Sequence, residues 1–330
     1  MKKFRLACAS MMLVLLSALF SVQTHAQGSQ GVVTIAVPYA VGGGTDAVAR
    51  LVADSMTRSL KRPVVVLNVT GAGGTIANDR VARSSPDGTT VLINHTGLLS
   101  APSLFKDLRY DTKNGFEPIG LVNTAPLLLV GKKSIPGSGS KDFIAWMKSE
   151  GSKMAVAHGG IGTNTHLCGV MIGNLLGFKP NFVAYRGSGP AITDLVGGHV
   201  DLLCDQVPSA LPHVRGGTLH GIAVTATERL EQAPEIPTAV ELGLSGMVYT
   251  FWHGLYVAKG TPKETVAQLN SALRAAVSDP ALREKLKGLG TDTFPDERMS
   301  PEAHAAIFAE DLERITKLIE SAGVSAGEAR

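Results

Sequence analysis

Apolar positions along the chain follow two periods, one of strands and one of helices. The run Val32 to Val37 is continuous and reads as a buried strand; after it Val48, Leu51, Val52, Met56 and Leu60 share one face of a helix predicted from Asp46 onward. A second strand is predicted at Val64 to Leu67, and Gly71-Ala72-Gly73-Gly74-Thr75 leads into a helix holding Ile76 and Val81. Pro86-Asp87-Gly88 is a turn, and Thr89 to Asn94 is the third strand. The apolar segments Pro118 to Val122 and Pro126 to Val130 follow, and then the unit repeats in kind. Lys153 to Ala157 is a strand, His158 to Thr165 a glycine-containing loop, and His166 to Leu176 a helix with Leu167, Val170, Met171 and Leu175 on one side. Phe182 to Tyr185 and Val200 to Cys204 read as strands, with a helix over Ile192 to Val196 between them. Tyr249 to Ala258 is strand-like again. Pro after Thr261 and after Ser300 marks two helix starts, the first helix running through Val277 and the second to about Ser321.

This alternation predicts an α/β protein built on doubly wound sheets, with ligands at the carboxyl ends of the strands. A chain of 330 residues exceeds the size at which one core stops growing, so two lobes are expected. The last helices have no sheet of their own and are expected to return to the first lobe. That assigns residues 27–124 and 249–330 to lobe 1 and 125–248 to lobe 2. Two crossover segments, near residues 125 and 249, then permit a hinge.

The first residues change the picture of where this happens. Lys2, Lys3 and Arg5 precede an apolar run from Ala7 to Phe20, and Thr24-His25-Ala26 offers small residues for cleavage, so residues 1–26 read as a secretory signal cut after Ala26. The apolar run is too short for a stable bilayer span, and an exported, periplasmic protein is expected. The chain carries 31 Lys and Arg against 28 Asp and Glu. Three of the basic residues fall in the signal, so the mature chain is formally neutral and gives no support to nucleic acid as a partner. Cys168 and Cys204 are left in a disulfide-permissive compartment, either bonded to each other or as two buried thiols.

The candidate chemistry lies at the strand-to-helix turns. Gly42, Gly43 and Gly44 leave the first N–H groups of a helix open to an anion, and a carboxylate is the expected guest. The loop around Gly160, Gly162, Thr163 and Asn164 is a second such junction, as a two-lobed clamp requires. Thr163 and Asn164 are equally readable as ligand partners or as helix N-caps. Tyr39 and Ala40 lead into the first loop, the Tyr39 ring serving either the ligand or packing. Thr45 and Asp46 close that loop, and Asp46 is favoured to cap N–H groups of its own helix over touching an anion. His166 is expected to fix its loop more than to touch the ligand. Asn94, Thr96 and Asp205 stand at strand ends and are secondary candidates.

Enzyme motifs are missing from the sequence. The first glycine loop has no P-loop lysine, no Gly-x-Gly-x-x-Gly follows a strand, and Gly187-Ser188-Gly189 is too short for a nucleophile elbow. His158 and His166 lack a cysteine or carboxylate spaced to complete a metal site. No cofactor, no metal and no catalytic residue is expected.

Several motifs in order carry a family resemblance over nearly the whole mature chain. They are Pro38-Tyr39-Ala40-Val41-Gly42-Gly43-Gly44-Thr45-Asp46, Gly71-Ala72-Gly73-Gly74, Ser85-Pro86-Asp87-Gly88, Gly160-Ile161-Gly162-Thr163-Asn164-Thr165-His166-Leu167 and Tyr185-Arg186-Gly187-Ser188-Gly189-Pro190-Ala191. Asp194-Leu195-Val196-Gly197-Gly198, Pro234-Glu235-Ile236-Pro237-Thr238 and Trp252-His253-Gly254-Leu255 complete the set. The chain resembles the extracytoplasmic solute-binding receptors of tripartite tricarboxylate transporters, the Bug receptors. The resemblance implies a type II periplasmic-binding-protein fold, two lobes closing on a small carboxylate, with membrane permease subunits as partners and a monomeric receptor. It also implies ligand contacts from Tyr39 to Asp46 and from Gly160 to Asn164. Val41 stands where the family has Pro or Ala, and Arg186 where it has Lys. An extracytoplasmic sensor subunit reporting to a membrane kinase uses the same clamp and stays open as an alternative; an enzyme acting on a carboxylate is the weaker one.

Overall fold

The structure is a computed structural model that describes residues 31–136 and 139–324. The secretory signal expected at 1–26 lies outside the described residues.

Strand β1 (Val33–Val37) pairs in parallel with β2 (Val64–Asn68) on one side and β3 (Thr90–Asn94) on the other. Helix α1 (Gly44–Leu60) follows β1 and buries Val48, Val52, Met56 and Leu60. It begins two residues before the expected Asp46 and stops at Lys61, whose left-handed φ of 53° turns the chain toward Pro63. Helices α2 (Thr75–Ala82) and α3 (Thr96–Leu104) complete the first set of strand-to-helix turns.

The two apolar segments expected at 118–122 and 126–130 are one strand, β4 (Phe116–Lys132). The polar residues Asn123 and Thr124 interrupt the apolar pattern without interrupting the backbone, because Asn123 is wholly buried and bonds to Thr291 and His253. Up to Pro126, β4 runs antiparallel to β9 (Thr250–Ala258), with register shifts near Gly120 and Asn123. From Leu127 it pairs instead with β7 (Leu202–Gln206), and from Leu128 with β8 (Leu219–Val224). One strand therefore serves two sheet regions. The sheet order β2-β1-β3-β9-β4-β7-β5-β6 includes β5 (Ala155–His158) and β6 (Asn181–Ala184), with β8 and the two-residue β10 (Asp292–Thr293) attached to β4. The molecule is a mixed α/β fold of the two-lobe type.

Helices α4 (Ser140–Glu150), α5 (Asn164–Leu176), α6 (Ser188–Val196) and α7 (Val207–Arg215) flank the sheet region of β5 to β8. Val130, Leu203 and Val224 on its strands pack with Leu195 of α6 and Leu211 of α7 in one apolar cluster. α8 (Lys263–Ser278) packs on α1 and β4, α9 (Pro280–Gly288) on α8, and α10 (Pro301–Ser321) on α3 and β4. The start of α10 is held by Ser300 Oγ, which accepts the Ala303 N–H at 3.1 Å. Cys168 on α5 and Cys204 on β7 are disulfide-bonded and buried.

Candidate functional site

Five helices begin at one small cleft. Their N-cap residues are Gly43 for α1, His95 for α3, Thr163 for α5, Gly187 for α6 and Gln206 for α7, and all five line the cleft with Tyr39, Gly44, Thr45, Gly159, Asn164, Thr165 and Ser188. Each helix start carries the positive end of a macrodipole and N–H groups without helical partners. Gly43, Gly187 and Gln206 place no side-chain cap over those groups. Among the described residues no Lys or Arg lines the cleft, so what favours an anion there is backbone polarity.

Close backbone approach explains two glycines. A Cβ on Gly44 would lie 2.3 Å from Gln206 Oε1 and 2.7 Å from Gln206 Cβ. Gly187 has φ of +140°, and a Cβ there would lie 2.5 Å from the Ala40 nitrogen, which donates to the Arg186 carbonyl at 2.8 Å. Two more bonds cross the cleft: Gln206 Nε2 to Thr45 Oγ1 at 3.0 Å and Ser100 Oγ to the Gly162 carbonyl at 2.7 Å. The free volume of the cleft is about 10 Å³, on the order of what one water needs. A space of that size does not hold an acid of several carbons.

The walls are neutral and braced. Burial pushes the His95 imidazole well below its usual pKa, with His253 adding to the effect, and burial alone takes His253 down to about 3. Tyr39 stacks on His95 with ring centroids 4.8 Å apart, and its hydroxyl donates to Asn94 Oδ1 at 3.0 Å. Asn94 passes the chain on to Asn78, and Asn78 to Tyr110. On the opposite side, burial takes His158 down to about 4 and His166 down to about 3. Thr163 Oγ1 donates to the Gly160 carbonyl at 2.6 Å and bonds Thr165 Oγ1 at 2.8 Å.

Of the residues singled out in the sequence, Tyr39, Gly43, Gly44, Thr45, Thr163 and Asn164 border the cleft. The others stand one layer behind. Ala40 is tied to Arg186 through its backbone, and Gly42 donates its N–H to Asp46. Asp46 does not cap its own helix; its carboxylate accepts from Gly42 N–H, Arg50 and Asn68, and these bonds outweigh burial and lower its pKa. Thr96 bonds the Tyr249 hydroxyl at 2.9 Å. Gly160 lies against Gly73, and His166 Nδ1 accepts the Gly162 N–H at 3.3 Å. Asp205, its pKa raised by burial, accepts from Ser188 and Ser209.

His95, Gly159, Thr165, Gly187, Ser188 and Gln206 also border the cleft and are not among the contacts read from the sequence. Two of them carry a signal. Tyr185-Arg186-Gly187-Ser188 is a strand-glycine-helix junction like the other two, and Pro208 marks a helix start just after Gln206.

Comparison with known proteins places the chain in a family. The sequence profile described as "Tripartite tricarboxylate transporter family receptor" matches residues 48–324. The solved periplasmic binding protein BugD is 38% identical, with a TM-score of 0.86 over 89% of this chain and 98% of its own. MatC from Rhodopseudomonas palustris, solved with bound malate, is 36% identical with a TM-score of 0.83 over 87% of this chain and 98% of its own. A second R. palustris protein, solved with adipate, is 28% identical with a TM-score of 0.84 over 89% and 97%. The chain belongs to the tripartite tricarboxylate transporter receptors, a family of periplasmic solute-binding proteins of the Bug type.

Proposed function

We propose that this chain is an exported receptor that captures a small carboxylate between its two lobes and delivers it to the membrane permease subunits of a tripartite transporter. The observation that carries the reading is the convergence of five helix N-termini on a cleft that no Lys or Arg of the described residues lines. An anion held this way is neutralised by fixed dipoles, each worth about 0.3–2 kcal/mol, and by hydrogen bonds from backbone N–H groups. Relatives solved with malate and with adipate support a carboxylate as the guest. The lobes are residues 27–124 with 249–330, and 125–248, after removal of the signal at Ala26. They open about the two places where the chain crosses: β4 at Pro126, and the segment entering β9 at Thr250. Opening breaks the three bonds across the cleft and admits the ligand.

Thermal-shift screening of the mature protein against small mono- and dicarboxylates tests the capture step. A carboxylate at 100 times its Kd adds about 2.7 kcal/mol to stability. Loss of uptake of that acid in cells lacking the receptor gene, restored by the wild-type gene, tests delivery. A protein that consumed the acid in place of binding it would sink the reading.

A further inference from the structure

Two buried side-chain atoms that border the cleft have no partner: the amide oxygen of Gln206 and the amide nitrogen of Asn164. Gln206 is 3% exposed and Asn164 1%, and in folded proteins most buried polar atoms have a partner. Neighbours dictate which way each amide faces. Asn164 Oδ1 accepts the Thr165 N–H at 2.9 Å, which leaves Nδ2 as a donor.

The orientation of Gln206 is set from further away. The Thr291 hydroxyl gives its hydrogen to the Thr124 carbonyl at 2.9 Å, so toward Asn123 it can only accept, and Asn123 turns Nδ2 to it. Asn123 Oδ1 then faces His253 Nδ1 at 2.9 Å, and that nitrogen carries the proton. Burial keeps this imidazole neutral, so His253 Nε2 is an acceptor and takes the Thr45 hydroxyl hydrogen at 3.0 Å. Thr45 Oγ1 has only lone pairs left and receives Gln206 Nε2 at 3.0 Å. Gln206 Oε1, lying over Gly44, is thereby held as an acceptor at the end of a chain with one direction.

We infer that the ligand is a hydroxy acid, a carboxylate whose hydroxyl donates to Gln206 Oε1 while another of its oxygens accepts from Asn164 Nδ2. This rests on the carboxylate-receptor reading above and narrows it. A fully ionised plain acid has no hydrogen to give and sets its own lone pairs against Oε1; a site built for a hydroxyl rejects the analogue without one. An ammonium is the other small donor, and it needs an anion beside it. Asp46 is spent on Gly42, Arg50 and Asn68, Asp205 is spent on Ser188 and Ser209, and neither lines the cleft.

Calorimetric titration of the mature protein with matched sets tests this: propionate, lactate and alanine; succinate, malate and aspartate. In the set that binds most tightly, the hydroxy acid is expected to bind at least tenfold tighter than the plain acid. Gln206→Met removes the acceptor and should bring that ratio close to one. His253→Phe leaves the cleft lining intact but frees the Thr45 hydroxyl to rotate and Gln206 to flip, so the same ratio should fall there too. A general loosening of the site lowers both affinities and leaves the ratio in place. Equal binding of plain and hydroxy acids to the wild type overturns the inference and leaves the receptor reading standing. Tighter binding of the amino acid overturns the hydroxyl as the donor. Binding of a plain acid outside these sets, with none of the six bound, overturns the inference alone; no binding of any carboxylate overturns both readings.

Discussion

The Arg50 guanidinium grips the Asp46 carboxylate through two nitrogens, Nη2 to Oδ1 at 2.9 Å and Nε to Oδ2 at 3.1 Å. The same carboxylate takes the Gly42 N–H at 3.1 Å and Asn68 Nδ2 at 2.9 Å. The acidic side chain nearest the glycine loop is thus fully occupied behind it, which is how an aspartate can sit beside an anion site without repelling the guest. Arg50 is half exposed, so the ion pair itself adds little to stability. The hydrogen bond that shapes the loop matters more.

Asp46→Asn is expected to lower stability by about 1–2 kcal/mol and to weaken carboxylate binding through a looser Gly42–Gly44 turn. Urea denaturation and calorimetric titration of the variant check both. Tighter binding in Asp46→Asn would mean that the carboxylate faces the ligand after all.

Gly44→Ala separates closure from folding. The added Cβ collides with the Gln206 side chain across the cleft, within 2.3 Å of its Oε1. The expected result is a melting temperature close to that of the wild type and an affinity reduced at least a hundredfold. Retained affinity would take the first glycine loop out of the site.

Acid should destabilise the fold well before the carboxylates titrate. The folded pKa values of His158, His166 and His253 lie at about 4, 3 and 3 because burial disfavours the imidazolium. Unfolded, each binds a proton near pH 6.5. Between the two values the unfolded chain holds more protons, so stability falls as pH drops below about 6.5 and the loss continues toward pH 4. Each such histidine removes about 1.4 kcal/mol per pH unit in that window. Melting temperatures measured from pH 7.5 to 4.5 should be flat at the upper end and decline below about 6.5; a flat profile throughout contradicts neutral buried imidazoles.

The Cys168–Cys204 bond joins α5, which begins at the cleft, to β7, which ends at Gln206, across a separation of 36 residues. A loop of that length gives a cross-link worth roughly 3–4 kcal/mol. The double variant Cys168→Ala, Cys204→Ala should lose about that much in urea denaturation. It should also bind carboxylate more weakly, because α5 and the end of β7, which carry Asn164 and Gln206 on one side of the cleft, lose their tether.

What the sequence made legible is local. The turn from β1 into α1 could be read because an apolar run, three glycines and a helical repeat adjoin one another between Val33 and Leu60. The unity of β4 could not, because Asn123 and Thr124 look like a break until Thr291 and His253, 168 and 130 positions away, satisfy Asn123. Gln206 was hidden for the same reason. Pro208 marks the helix start beside it, but its meeting with Thr45 spans 161 positions, and that contact is what turns its amide to the cleft. The glycine loops, by contrast, advertise their own geometry.

If an anion is held by converging helix starts without help from a cation, its charge decides whether it binds. The most direct test is calorimetric titration of the mature protein with a panel of small carboxylates, each alongside its primary amide, which keeps the shape and removes the charge. At least one carboxylate is expected to bind, and its amide at least a hundredfold more weakly. Equal binding of acid and amide, or no binding of any carboxylate, would contradict it.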